Sequence, residues 1–525
     1  MLNPLQVFQE LNESSSFLQP LTFTLLAIFL VLLYTWYSST KTTTQKSSPP
    51  PSPPKLPIIG NLHQLSSYPH RSIQALSQRH GPLMLLHFGS VPVLVVSSAE
   101  AARETLKTHD LAFSGRPKSI IFEKLLYNYK DVSTAPYGDY WRQVRSICVS
   151  NLLSNTRVRS FRSVREEETK SMIRNINDSS SSSSTSSSVL NLSEMFVRLT
   201  NDVVCRVALG RKYSDGEGGE SGRMFQKLLW EFTDLLGTVN IGDYIPWLSW
   251  LSHINGLGAK LDKVAKQLDD VIETAVQEHM NRSSKSGDDD QKDFLDVLLS
   301  IQKENVAGIP IDRVSIKGII LDMFAAGTDT TYTALEWAMT ELLRHPRVMN
   351  KLQNEVRGIV GNKRDMITED DLVEMHYLKA VTKETLRLHP PLPLLFPRMS
   401  TRDVEVNGYN IKANTHVFIN AWQIGRDPKL YDNPEEYKPE RFLNIGIDYK
   451  GNDFQLIPFG AGRRVCPGLQ FAMAVNEIAL ANIVHKFDWA LPGDASGEDL
   501  DMTESIGLTP HRKYPLKAVA FPHSS

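Results

Sequence analysis

Pro458-Phe459-Gly460-Ala461-Gly462-Arg463-Arg464-Val465-Cys466-Pro467-Gly468 packs three glycines, two arginines, an aromatic ring and a single cysteine into one short stretch. Glycines at that density let the backbone turn, or approach a neighbour closely, where a side chain would clash. The cysteine lies beside two arginines and just ahead of a helix-like run, Leu469 to His485. Positive charge and a helix N-terminus both favour a thiolate, so the sequence predicts an ionised sulfur at Cys466. A lone thiolate suggests one metal ligand. Zinc asks for three or four protein groups, and no second Cys or His lies near in sequence. Haem iron asks for a single axial ligand, and a thiolate there favours O–O cleavage.

The wording F-G-x-G-x-R-x-C-x-G resembles the haem-binding loop of the cytochrome P-450 superfamily of haem-thiolate monooxygenases. A glycine-rich turn around a buried structural cysteine is the alternative reading of the same residues. A dinucleotide-binding reading of Gly460-Ala461-Gly462 fails, because the third glycine is missing at the required step. The resemblance implies haem b as cofactor, with Cys466 as its axial ligand and Phe459, Gly460, Gly462 and Gly468 shaping the loop around it.

Composition agrees with a globular protein of 525 residues, 41% hydrophobic and 22% charged. Lys+Arg 57 against Asp+Glu 59 leaves a net charge of -2, so this is not a globally basic nucleic-acid binder and no nucleic-acid partner is expected. Cys148, Cys205 and Cys466 are too sparse for a disulfide framework and point to a reducing compartment.

Residues 21–37 form a membrane-length apolar run ending in Trp36 and Tyr37, at the short end of what spans a bilayer. No Lys or Arg precedes Lys41, and Lys41, Lys46 and Lys55 follow. That charge order predicts a signal anchor with residues 1–20 luminal and the remainder cytosolic. Residues 38–54 are a Ser/Pro-rich linker and hinge, stiff because of its prolines. From residue 55 to 525 no clean break is visible, and a single catalytic domain is expected.

Within it, Leu83 to Phe88 and Val91 to Val96 read as a β-hairpin around Gly89-Ser90. Ser97-Ser98-Ala99-Glu100 reads as a capping box opening a helix. The chain is then mostly helical to about residue 390. Ser179 to Ser188, Gly216 to Gly222 and Ser283 to Gln291 read as polar loops. Gly242 to Leu251, with Tyr244, Trp247 and Trp250, is either core or, by the resemblance, a membrane-dipping access region. Ile311 to His345 is one long apolar-periodic helix bounded by Pro310 and Pro346. Val404 to Ile411 holds an Asn407-Gly408 turn, and Thr415 to Ile419 and Leu516 to Ala520 read as strands. The expected fold is mainly α with small β-sheets (α+β), the P-450 fold behind an N-terminal anchor helix.

Four further constellations carry weight. Ala326-Gly327-Thr328-Asp329-Thr330-Thr331 sits in the long helix, with Ile316, Ile320, Met323, Gly327, Thr330 and Ala334 on one face. A mid-helix glycine costs about 1 kcal/mol and wants a reason. The bland reading is a Thr330 hydroxyl bonded back to the Ala326 carbonyl. By the resemblance, Thr330 holds dioxygen and its waters while Asp329 helps relay protons. Glu384 and Arg387, with Arg441 from Pro439-Glu440-Arg441-Phe442, resemble the buried network that braces the haem loop. Trp141 and Arg145, four apart on one helix face, together with Arg398 and Arg464, resemble the anchors of the haem propionates. Substrate contacts are expected near Ile120 to Tyr127, Met323 to Ala326, Leu392 to Phe396 and Ile506 to Leu508, mostly apolar stretches.

The resemblance covers residues 55 to 525, and its wording is that of the large plant microsomal clade of specialised metabolism. It implies an NADPH-dependent monooxygenase of the endoplasmic reticulum membrane acting on a small hydrophobic metabolite, such as a terpenoid, coumarin or other phenolic, alkaloid or oxime. Dioxygen is the co-substrate. No flavin or nicotinamide loop is present in the sequence, so electrons are expected from a separate NADPH–cytochrome P-450 reductase, with cytochrome b5 a further candidate partner and Arg142 and Arg463 on the docking side. Membrane lipid is the remaining partner. Two rivals stand beside this reading: a haem-thiolate dehydratase or isomerase that consumes no dioxygen, and a non-enzymatic membrane haem sensor.

Overall fold

The computed structural model describes residues 48–181, 188–212, 219–282, 292–304, 311–361 and 365–523, together with 24, 26, 27 and 29–31. The segment 1–20 expected to be luminal, most of the expected anchor 21–37, most of the expected linker 38–54 and the expected loop 283–291 lie outside the described residues. Among the described residues, no helix is long and apolar enough to cross a membrane.

The main elements in chain order are α1 (Pro69–His80), β1 (Leu83–Phe88), β2 (Val91–Val96), α2 (Asp139–Ile147), α3 (Arg162–Ser181), β3 (Val189–Asn191), α4 (Leu192–Leu209), α5 (Gly219–Leu236), α6 (Leu257–Arg282), α7 (Phe294–Glu304), α8 (Arg313–Arg344), α9 (Pro346–Val360) and α10 (His376–Leu388). Then come β4 (Arg398–Met399), β5 (Val404–Val406), β6 (Tyr409–Ile411), β7 (His416–Ile419), α11 (Leu469–Lys486), β8 (Phe487–Ala490) and β9 (Lys517–Pro522). The expected α+β class holds.

The predicted hairpin forms with its expected bounds, Leu83 opposite Val96 and Phe88 opposite Val91. It grows into a four-stranded sheet of order β1-β2-β7-β4, with β7 parallel to β2 and β4 antiparallel to β7. The parallel pair joins residues more than 300 apart in the chain and has no local signature. A second sheet, β3-β9-β8, pins the C-terminal strand to the helical body, and β5-β6 is a separate hairpin. Asn407 and Gly408 both adopt positive φ, 49° and 81°, as a two-residue hairpin turn demands. On the outer edge of β1, Leu85 N–H donates to Pro51 O at 2.8 Å, so the last prolines of the linker are docked on the body.

The long helix α8 is buried along most of its length and packs on α4, α10 and α11. Its start is fixed by Asp312, whose Oδ1 accepts from Ser315 N–H at 2.7 Å, and Pro346 begins the next helix beyond its end. Its glycines have packing reasons. A Cβ at Gly318 would lie 2.4 Å from Lys130 O, and one at Gly327 would lie 3.0 Å from Val204 Cγ2 of α4.

Local readings differ in detail. The cap before Ala99 is Ser98, one residue later than expected, and its hydroxyl oxygen accepts from Ala101 N–H. With alanine at that third position, Glu100 closes no reciprocal bond. Ser179 to Ser181 continue α3 instead of opening a loop, and Gly219 to Gly222 already belong to α5. Trp247 and Trp250 are exposed, 63% and 52%, which removes the core reading for both. Tyr244 alone packs inward, edge-on to Phe88 with ring centroids 5.6 Å apart.

The Glu-Arg-Arg network is present and deeply buried. Glu384 accepts from Arg387 Nε and Nη2 at 2.7 and 2.8 Å and from Arg441 Nε at 3.0 Å. Arg387 also donates to Gly425 O, Pro434 O and Glu436 O. Removing one partner strands the others in the interior. Glu384→Ala is therefore expected to cost about 3–5 kcal/mol, read as loss of thermal stability or of folded protein at equal synthesis.

Candidate active site

The glycine-rich stretch folds as a loop closed on itself: Gly460 N–H donates to Ile457 O and Cys466 N–H to Phe459 O, each at 3.0 Å. Gly460 and Gly462 take positive φ, 71° and 68°. At Gly462 the reason is steric as well, since a Cβ there would lie 2.0 Å from Leu106 O. Gly468 directly precedes α11, and the Cys466 sulfur would sit 3.9 Å from a Cβ placed there. Phe459 lines the same wall and tilts against Tyr449, 5.8 Å between centroids.

The helix N-terminus acts on Cys466 as expected, but the cation beside it is not one of its sequence neighbours. Burial pushes its thiol up, and the Gly468 and Leu469 N–H groups together with Arg145 only partly oppose this. Its sequence neighbours do not help. Arg463 turns out to Asp110 at 2.9 Å. Arg464 donates to Ser114 O, Val132 O and Ala135 O.

Cys466 opens on a cavity of about 1560 Å³, counting all the space between its lining atoms out to its mouth. Four arginines reach its wall: Arg116, Arg145, Arg398 and Arg464, joined by Trp141. Trp141 Nε1 donates to Val132 O at 3.0 Å, and Arg145 Nη2 to Val465 O at 2.6 Å. Arg398 Nη2 donates to Ala461 O at 2.8 Å, while its buried Nη1 has no hydrogen-bond partner. Burial drags Arg398 down to about 10. Burial and the neighbouring Arg398 bring Arg464 down to about 9. Arg116 is lowered well below its usual range by burial, then by Arg464 and Arg398. Buried guanidiniums depressing one another, one with an idle donor, form a receptor for a ligand bearing carboxylates.

Arg116 escaped the sequence reading. Gly115-Arg116-Pro117 carries no motif that marks a site residue. The fold buries Arg116, with Nε on Ser133 O at 2.8 Å and Nη1 on Phe396 O and Pro397 O at 3.0 and 2.6 Å. Those last partners lie 280 and 281 residues away, beyond any local signal.

The stretch 131–135 bridges these arginines to α8. Val132 and Ser133 N–H donate to Asp322 of α8 at 2.7 and 3.2 Å, and Thr134 N–H donates to Asp131 at 2.7 Å. Its carbonyls face the arginines and Trp141. Burial, and for Asp322 also the Asp131 charge, pushes both carboxyls up.

From α8 the cavity is lined by Met323, Ala326, Gly327, Thr330 and Ala334, with Asp322 and Thr331 beside them. Thr330 Oγ1 donates to Ala326 O at 2.7 Å, so the bland bond is made on a residue that also faces the cavity. Asp329 does not line the cavity. Its carboxyl is turned to the outer side of α8, where the Thr509 hydroxyl donates to Oδ2, and burial raises it to about 7. The expected carboxylate-beside-hydroxyl pairing is thus split across the helix. Leu392, Leu395 and Phe396 line the cavity as expected, but residues 120–127 and 506–508 do not. Phe122 reaches it only indirectly, through contact with Phe396 at 5.4 Å. Arg142 and Arg463 lie on the surface, each beside an acid, Asp139 and Asp110.

Residues 50–517 match the cytochrome P450 family model. The chain belongs to the cytochrome P450 family. It is 88% identical over 523 residues to cytochrome P450 736A117 of Prunus mume, covering 100% of both chains. It is 53% identical to norfluorocurarine oxidase of a Strychnos species, over 95% of this chain and 98% of that one. A zebra fish cytochrome P450 structure with progesterone superposes with a TM-score of 0.74 at 26% identity, covering 86% of this chain and 99% of the other.

Membership makes this an oxidoreductase of the plant P450 type, a monooxygenase whose haem is held by a cysteine thiolate. The residues present fit that group: one cavity-facing sulfur, glycine backbone around it, and a guanidinium cluster with an idle donor for its acid groups. Arg398→Leu is expected to weaken haem retention at least about 10-fold, the worth of one charged hydrogen bond. Haem transfer to an apo-globin measures it.

Proposed function

We propose that this chain inserts one oxygen atom from dioxygen into a small hydrophobic plant specialised metabolite, with electrons drawn from NADPH through a separate reductase. The observation that carries the proposal is that Cys466, Thr330 and four arginines, three of them buried, open on one cavity. When bound, haem supplies the reductive activation of dioxygen. Cys466 would hold its iron, backed by the Gly468 and Leu469 N–H groups. Trp141, Arg145, Arg398 and Arg464, with Arg116 added, would hold the propionates, and Phe459, Gly460, Gly462 and Gly468 would shape the loop. Thr330 Oγ1 is the hydroxyl that hands protons into the cavity, with Asp329 behind it as the acid that restores them. Glu384, Arg387 and Arg441 brace the loop and do no chemistry.

Leu392, Leu395, Phe396, Val204 and Ala208 give the cavity an apolar wall, which supports a hydrophobic substrate held by few polar anchors. The Strychnos relative is named as an oxidase of norfluorocurarine, so alkaloids stay within the candidate class alongside terpenoids, phenolics and oximes. In this reading residues 21–37 anchor the chain in the endoplasmic reticulum membrane with 1–20 luminal, 38–54 form the linker and 55–525 the cytosolic catalytic domain. The exposed Trp247 and Trp250 support contact with membrane lipid. The reductase, or cytochrome b5, docks on the Cys466 side near Arg142 and Arg463.

Membranes carrying the chain and a plant reductase, offered a plant metabolite library with NADPH, are expected to return products heavier by one oxygen atom. Cys466→Ser is expected to abolish both these products and the thiolate-type spectrum of the reduced carbon monoxide complex. Turnover that needs neither NADPH nor reductase would overturn the proposal.

A further inference from the structure

The outer side of α8 carries a contact that the cavity does not explain. The segment 504–512 lies along it and is fastened at successive turns. Thr509 donates to Asp329, Trp337 Nε1 donates to Pro510 O at 3.0 Å, and Arg512 N–H donates to Glu336 Oε2 at 2.9 Å. The His511 ring meets Tyr332 edge-on at 5.6 Å. Asp329, Tyr332 and Glu336 share one helix face, at steps of three and four. The far end is tied down as well: Tyr68 Oη donates to Glu504 O at 2.9 Å, and His70 and Arg71 pair with the Glu504 carboxylate. Gly237 lets this segment approach α5, since a Cβ there would lie 2.6 Å from Leu508 N. Thr509 is therefore held between two fastened neighbours, and its hydroxyl is a placed donor.

We propose that Thr509 is a positioning residue for proton supply: its hydroxyl fixes the Asp329 carboxyl on the outer side of α8 and sets how readily that acid gives up its proton. The inference rests on the reading of Asp329 as the acid behind Thr330. A hydrogen bond donated to a carboxylate favours its charged form, which opposes burial. The other groups around Asp329 do not replace it. Asp234 of α5 is a like charge, and Lys260 acts on Asp234. Tyr332 and Glu336 on α8 are acids themselves, and burial holds the His511 ring down at about 4, so it is neutral near pH 7. With Thr509 in place, Asp329 titrates at about 7, where an acid is best matched to neutral-pH proton transfer.

The sign follows directly. The protonated carboxyl is the donor, so product formation falls as pH rises through the Asp329 pKa. Removing the Thr509 hydroxyl raises that pKa and moves the fall to higher pH. The test uses the full-length, haem-loaded chain. Its Asp329 carboxyl band is followed by infrared titration and assigned by its loss in Asp329→Asn. Thr509→Val is expected to move the midpoint up by about one pH unit, and Thr509→Ser to leave it in place. Folding of each variant is checked by the reduced carbon monoxide spectrum, and Thr509→Ala serves if valine is too bulky. The alkaline limb of product formation, measured with the metabolite found in the library screen, is expected to move with the midpoint. An unmoved midpoint without the hydroxyl overturns the role of Thr509. A moved midpoint with an unmoved limb overturns the reading of Asp329, and with it the link from Thr509 to proton supply.

Discussion

Charge that cannot reach water is the constraint around which this cavity is built. Arg116, Arg145, Arg398 and Arg464 reach one cavity, and two raised carboxyls lie close by, Asp322 on the lining itself and Asp131 beneath it. Between them runs the 131–135 peptide stretch, its N–H groups turned to the acids and its carbonyls to the arginines and Trp141. Low-dielectric surroundings strengthen each of these bonds and penalise each one left unmade. The stretch thereby couples α8 to α2, to the Cys466 loop and, through Arg116, to Phe396 and Pro397 ahead of β4, and no single element carries the site.

The same helix serves two environments. Its cavity side offers small residues and the Thr330 hydroxyl, while its outer side is roofed by the 504–512 segment. Asp329 lies at the boundary by sequence and on the outer side by side chain. Its carboxyl is thus set by packing on the side of α8 away from the cavity, which variation in the cavity lining need not disturb.

What could be read beforehand follows the range of the interactions. The β1-β2 hairpin, the extent of α8, the Asn407-Gly408 turn and α11 are written in local periodicity and turn chemistry. The Glu384 network was legible only because two short stretches were taken together by resemblance. Arg116, the Asp131–Asp322 pair and Thr509 were not, because each owes its setting to partners far away in the chain. The cation that acts on Cys466 was hidden for a related reason. Adjacency in sequence suggested helpful arginines, but Arg463 points to solvent and Arg464 to carbonyls, leaving Arg145 from another helix as the cation that acts on the sulfur.

The bond from Leu85 to Pro51 O has a mechanical consequence. It fastens the end of the proline stretch to β1, the outermost strand of a sheet whose opposite edge, β4, carries Arg398. Torque or tension arriving from the N-terminal side is thus transmitted across four hydrogen-bonded strands to the wall of the cavity. The tether sets a bearing as well as a distance: whatever holds the chain upstream of residue 48 also sets the compass heading of the cavity mouth.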